Sequence, residues 1–185
     1  MRVLCFADKC PDPNLIRSSV EEVRPDLIIT LGDLDGFALA PLKNFRDIPK
    51  IGVYGNHCSG NYFPELGILN MHLSTWEFGG LTFGGFQGSV RYKPGDHPMF
   101  TQEEADVLMK NFPHVDIFLA HAPPFGINDE PGDHVHEGFR ALRTYINEQK
   151  PRYFFHGHTY PVNPETRCGD TEIVYITGIQ SVDIS

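Results

Sequence analysis

Residues 26–33 read DLIITLGD, a continuous apolar run that stops on a glycine and an acid. A strand exposed on one face would alternate apolar and polar residues; an unbroken β-branched run suits a strand buried on both faces. The same arrangement recurs outward in both directions. Arg2–Ala7 ends in Asp8, Lys50–Tyr54 runs into Gly55-Asn56-His57, Val115–Ala120 runs into His121, and Tyr153–Phe155 runs into His156-Gly157-His158. Between the first strands, Leu15, Ile16, Val20 and Val23 fall at helical spacing and predict a helix over Pro13–Arg24, with Pro13 in its first turn. A second helix-like piece spans Phe37–Phe45. This β-α-β-α-β order argues for a parallel sheet with right-handed crossovers.

Further along, Thr75–Phe78 and Leu81–Phe83 flank Gly79-Gly80 and read as a hairpin. Helices are expected over Gln102–Asn111 and His136–Gln149, and Glu172–Thr177 as the last strand. No repeat, low-complexity segment or linker stands out, so residues 1–185 read as one domain, an α/β sandwich that is partly parallel and partly antiparallel.

Composition narrows the class. A chain of 185 residues can bury a sizeable core, and 41% hydrophobic with 21% charged residues excludes disorder as the default. No apolar run approaches the roughly 20 residues that cross a bilayer. The N-terminal apolar stretch reaches an acid at Asp8, too soon for a secretory signal. Cys5, Cys10, Cys58 and Cys168 lack C-x-x-C spacing, which argues against a zinc knuckle or a disulfide framework and for a reducing cytoplasm. A net charge of −9 disfavours nucleic acid and anionic membranes as partners. It also requires that an anionic substrate meet local positive charge, which bound metal ions supply.

The chemistry-bearing residues all follow strands. In open α/β sheets ligands bind beyond the carboxyl ends of the strands, so Asp8, Asp33, Asn56, His121 and His158 are expected along one edge. Carboxylate, amide and imidazole donors of this kind suit first-row divalent metals. The glycines beside Asp33, Asn56 and His158 are consistent with sharp turns that expose the ligand side chains. Singly, each residue reads as a cap, a turn residue or a packed histidine; the ordered set carries the signal.

That set (Asp8, Gly32-Asp33, Gly55-Asn56-His57, His121, Gly157-His158) resembles the calcineurin-like metallophosphoesterase family, whose pattern reads D-x-H, G-D, G-N-H-D/E, H and G-H-x-H. The resemblance runs from residue 8 to residue 160. It implies a four-layer α/β/β/α sandwich of two mixed sheets between helices. It also implies a hydrolase of phosphomonoesters or phosphodiesters that uses divalent transition metal ions (Mn, Fe or Zn), one or two per chain, with a metal-bound hydroxide attacking phosphorus. Carried over by position, Asp33, Asn56, His121 and His158 form one complete metal site, Asp33 bridges to a site that includes Asp8, and His57 is the candidate general acid.

Three positions depart from the pattern: Cys10 and Tyr160 stand where the other site's histidines belong, and Cys58 replaces the acid after Gly-Asn-His. Three outcomes are open. Cys10 as thiolate and Tyr160 as phenolate ligate a metal, which would favour zinc or iron; a single ion works alone; or the fold serves as a non-catalytic binding scaffold. Cys10 and Cys58 also have the plainer reading of idle, partly buried residues. Asn56, Arg91 and His136 are candidates for contacting a small phosphate-ester substrate, Arg91 by gripping a phosphate oxygen. His72, His97 and His114 fit no part of the pattern and read as surface residues.

Overall fold

The apolar runs become strands whose successive side chains point to opposite faces. In the computed structural model, which describes residues 1–130 and 132–185, the chain opens with β1 (Arg2–Ala7), α1 (Pro13–Val23), β2 (Leu27–Thr30), a 3-10 turn (Ala40–Asn44), β3 (Lys50–Gly52), α2 (Phe63–Leu66) and β4 (Leu69–Asn70). The hairpin β5 (Thr75–Phe78) and β6 (Leu81–Phe86) follows, then β7 (Ser89–Val90), β8 (Met99–Phe100) and α3 (Gln102–Met109). The last elements are β9 (Ile117–Ala120), α4 (Arg140–Gln149), β10 (Tyr153–His156), β11 (Arg167–Cys168), β12 (Thr171–Tyr175) and β13 (Gly178–Asp183).

One sheet has the order β13-β1-β2-β3-β4, parallel except for β13. The other has the order β11-β12-β10-β9-β6-β5, parallel through its middle and antiparallel at both edges. Val3, Cys5, Leu27, Ile29 and Ile51 meet Phe83, Ile117, Leu119 and Phe155 between the sheets. The alternate residues Leu4, Phe6 and Ile28 pack outward on Ile16, Val20, Leu42 and Phe63. On the far side, Phe118 and Phe154 pack on Ala105, Met109, Leu142 and Ile146 of α3 and α4. Two mixed sheets between helical layers is the α/β/β/α architecture expected, and burial on both faces accounts for the unbroken run at residues 26–31.

Several elements differ from expectation for local reasons. The helix-like piece at Phe37–Phe45 is a hydrogen-bonded turn followed by a five-residue 3-10 helix. The helix expected from His136 starts at Arg140 because the residues before it are tied to residues 123–125. Phe139 is extended and its N–H donates to the Pro123 carbonyl at 3.0 Å. Gly138 lies so close to Pro124 that a Cβ would stand 2.6 Å from its carbonyl carbon. The strand expected at Glu172–Thr177 forms as β12 but is not the last: Gly178, at φ 67°, turns the chain from one sheet into the other, where β13 pairs antiparallel with β1.

His72 is a further correction. Its ring packs with Phe86 and Phe100 in a three-ring cluster, at centroid distances of 5.2 and 5.4 Å, and Nδ1 accepts from the Gln87 N–H at 3.2 Å. Burial pushes its pKa down to about 4. In the unfolded chain a histidine titrates near 6.5, so as pH falls the unfolded state takes up this proton first. The contribution of His72 is therefore complete above about pH 6.5 and is lost between there and about pH 4. His72→Gln is expected to flatten the fall in denaturant midpoint over that window relative to the parent; identical pH profiles would show that His72 titrates as a surface histidine does.

Candidate metal centre

β2, β3, β9 and β10 all end at the same edge, and the residues just beyond them converge. Beyond β9, the buried His121 ring donates through Nδ1 to the Leu31 carbonyl at 2.7 Å. That bond fixes the tautomer and aims Nε2 inward, 2.9 Å from Asn56 Oδ1 and 3.4 Å from Asp33 Oδ2. Beyond β10, His158 Nε2 lies 2.8 Å from the Val135 carbonyl, so it is the donor and Nδ1 is left as the free nitrogen. Asp33, His121 and His158 each bring one ligand atom to within 4.8 Å of the others.

The electrostatics of these side chains describe a cation-seeking point. Burial alone would lower the His121 pKa, but the Asp33 carboxylate, with Asp8 behind it, carries it up to about 9. Burial would raise Asp33, yet the His121 charge and the His57 amide bring it down to about 2. His158 is held neutral, down to about 3, by burial and by the neighbouring His121 charge. Two imidazole nitrogens, a carboxylate and an amide oxygen are a donor set that fits a first-row divalent ion.

Glycines let these groups approach. A Cβ on Gly55 would stand 2.2 Å from Asp33 Oδ1 and 2.5 Å from Asp33 N; one on Gly157 would stand 2.8 Å from Asp8 Oδ2. Only Gly32, at φ 93°, is also needed for its turn, so close approach rather than turning explains the other two.

Residues 1–161 match the profile of the calcineurin-like phosphoesterases. The chain belongs to that family. Its members are metal-dependent phosphoester hydrolases. One solved structure covers 100% of this chain and 99% of its own at 16% identity and a TM-score of 0.68. The protein TT1561 of Thermus thermophilus covers 96% and 89% at 16% identity and a TM-score of 0.63. A hypothetical protein from the same organism covers 96% and 75% at 20% identity and a TM-score of 0.55. These likenesses concern the fold. No curated protein sequence matches the chain.

The remaining family positions are arranged differently. Asp8 is buried, and both its carboxylate oxygens accept from the His158 N–H at 3.0 Å. Burial raises its pKa to about 6, against the His121 charge and that amide. It lies outside the group formed by Asp33, His121 and His158. Cys10 Sγ accepts from the Asp35 N–H at 3.0 Å, and burial raises its thiol. Tyr160 is 54% exposed, and its phenol is raised by burial and then by the Asp8 and Asp33 charges. Cys58 Sγ turns inward, accepting from the Gly55 N–H at 3.2 Å and lying 3.3 Å from the Tyr62 hydroxyl, not beside His57. His57 is exposed, and its N–H donates to Asp33 Oδ1 at 2.7 Å.

Of the candidate substrate contacts, Asn56 is at the centre and His136 beside it, its ring 5.4 Å from that of His158 and its Nδ1 2.7 Å from Asp133 Oδ2. Arg91 is committed elsewhere, paired with Glu104 at 2.8 Å and donating to the Met99 carbonyl at 3.0 Å. Sequence reasoning missed the Leu31 and Val135 carbonyls, which carry no residue-type signal. It also missed Tyr92, whose hydroxyl accepts from Asn56 Nδ2 at 3.3 Å.

Gly55→Ala is expected to force Asp33 and residue 55 apart, lowering stability by about 1–3 kcal/mol and bound metal well below the parent's. Denaturant titration and elemental analysis read the two effects. Parental values for both would show that the strand ends tolerate separation.

Proposed function

We propose that the protein hydrolyses small phosphate mono- or diesters with one divalent transition metal ion, Mn, Fe or Zn, held by Asp33, Asn56, His121 and His158. The observation that supports this best is that each imidazole is held through one ring nitrogen by a backbone carbonyl, which leaves its other nitrogen for the ion, while Asp33, His121 and His158 each bring a ligand atom to within 4.8 Å of the others. Such orienting bonds are what metal-ligating histidines require. Because the Cys10 thiol faces the Asp35 amide, the donor set is nitrogen and oxygen, and manganese fits it as well as zinc or iron.

Bound there, such an ion lowers the pKa of a water to about 7 and acts as a Lewis acid toward a phosphoryl oxygen. The chain's own residues supply the rest. The Asp33 carboxylate holds the charge that draws the ion in, and the two histidines offer it ring nitrogens. His57, fixed through its main chain to Asp33 and open to solvent, protonates the leaving oxygen. His136, steadied by Asp133, lines the approach. The net charge of −9 selects small substrates over polyanions, in keeping with a cytoplasmic enzyme rather than a nuclease.

The second reading, a binding scaffold on the same fold, is favoured by the placement of Cys10, Cys58 and Arg91, each engaged away from the centre. Elemental analysis of the untreated protein, with turnover of chromogenic mono- and diesters in added manganese, zinc or iron, separates the two. One ion per chain with turnover is expected, both lost in Asp33→Asn and His158→Ala and both kept in Cys10→Ser. Absence of metal and turnover from the parent protein would leave the scaffold.

A further inference from the structure

Arg91 and Tyr92 are neighbours, and the geometry gives them opposite tasks. The segment that carries them is clamped between the two strand ends that deliver Asn56 and His121. The Gly88 N–H donates to the Tyr54 carbonyl at 2.8 Å, and the Ala122 N–H donates to the Gly88 carbonyl at 3.3 Å. Gly88 itself, at φ 76°, lies against Pro98, where a Cβ would stand 1.9 Å from the carbonyl oxygen. β7 then pairs with β8, and the Arg91 N–H donates to the Phe100 carbonyl at 2.9 Å. The Arg91 guanidinium closes the same segment onto Glu104 and Met99. Arg91 is thus a strut, and what it braces is Tyr92.

An asparagine amide has two ends, and only the oxygen ligates a metal. Asn56 is 0% exposed, and its oxygen stands 2.9 Å from His121 Nε2. Nothing in the shape of the group prevents it from presenting its NH2 instead. On the other side Nδ2 donates to the Tyr92 hydroxyl at 3.3 Å, the contact that tethers the amide in this orientation. We propose that Tyr92 is a positioning residue of this centre: its hydroxyl tethers the Asn56 carboxamide with Oδ1 turned to His121, and so tunes the affinity for the ion. This rests on the reading of Asn56 as a ligand. Tyr92 touches no other residue of the centre by hydrogen bond among the described residues, so its action runs through Asn56 alone.

The test is Mn2+ titration of the metal-free full chain, with free Mn2+ read by electron paramagnetic resonance, on the parent, Tyr92→Phe and Asn56→Ala. Removing a group that orients a ligand weakens metal binding by about 10–100-fold. Tyr92→Phe is expected to fall in that range while the thermal midpoint of the metal-free chain stays at the parent's value, because only a partly exposed hydroxyl is removed. Asn56→Ala is expected to weaken binding at least as much, and adding Tyr92→Phe to it to produce no further loss. If Asn56→Ala weakens binding while Tyr92→Phe binds within twofold of the parent, the role of Tyr92 is overturned and the metal centre stands. If Asn56→Ala binds as the parent does, the ligand assignment falls, and the inference about Tyr92 with it. An additive loss in the double variant would also overturn it, since Tyr92 would then act by another route.

Discussion

The bond from His121 Nδ1 to the Leu31 carbonyl, 2.7 Å long and wholly buried, is the contact on which the edge of this molecule depends. It runs from the end of β9 in one sheet to the end of β2 in the other. Deeper in the sandwich the sheets meet through apolar side chains, which set spacing but not registry. At the edge, a buried carbonyl and a buried ring nitrogen must find each other or lose about 1–3 kcal/mol for each group left unpaired. Their pairing therefore fixes one sheet against the other. The same proton settles which nitrogen of His121 is free. A second stitch, from the His158 N–H to Asp8, joins the ends of β10 and β1 in the same way. The seam between the sheets and the candidate metal centre are one set of contacts.

That seam is held under strain. Asp8, Asp33 and His158 all adopt positive φ, at 59°, 53° and 69°, a region that non-glycine residues occupy at about 1–3 kcal/mol each. The surroundings overdetermine each of them. The Asp8 N–H donates to the Gly32 carbonyl, the Asp33 carboxylate accepts from the His57 amide, and the His158 amide is taken by Asp8. Left-handed backbone turns each side chain out of the strand's alternation and along the sheet edge. Gly55 and Gly157 lie where any Cβ would overlap these carboxylates, which is how five strand ends fit around one point.

The layers of the fold were legible because burial on both faces leaves a plain mark in residues 26–31 and 115–120, and strand-end acids and histidines punctuate those runs. β13 left no such mark: Gly178-Ile179-Gln180-Ser181 is half polar, and its place at the edge beside β1 is a matter of tertiary pairing. Phe37–Phe45 carries apolar residues at helical spacing but is too short and too tightly turned to make more than a 3-10 turn. His72 had no partner in any motif, and only the fold shows that it packs on Phe86 and Phe100. At the centre, residue type pointed to Asp33, Asn56, His121 and His158. It could not show the carbonyls that set their tautomers, and a charged Arg91 drew attention from the uncharged Tyr92 beside it.

The three departures from the family pattern fall on one side of this arrangement. Cys10 is turned to a main-chain amide, Cys58 to the aromatic layer around Tyr62, and Tyr160 to the surface. The four residues that keep family donors converge. Asp8 belongs to neither group: it keeps the family's acid, its two oxygens share the His158 N–H, and burial raises its pKa to about 6. An acid so placed costs the fold less when protonated than when charged, unless a cation or imidazolium lies nearby, and His121 Nδ1 is 4.0 Å away. The seam it stitches gives it a structural task of its own. The case for the proposed ion thus rests on the convergence of Asp33, Asn56, His121 and His158, and an intact acid in a motif is weaker evidence for a ligand when that acid also holds a main-chain amide.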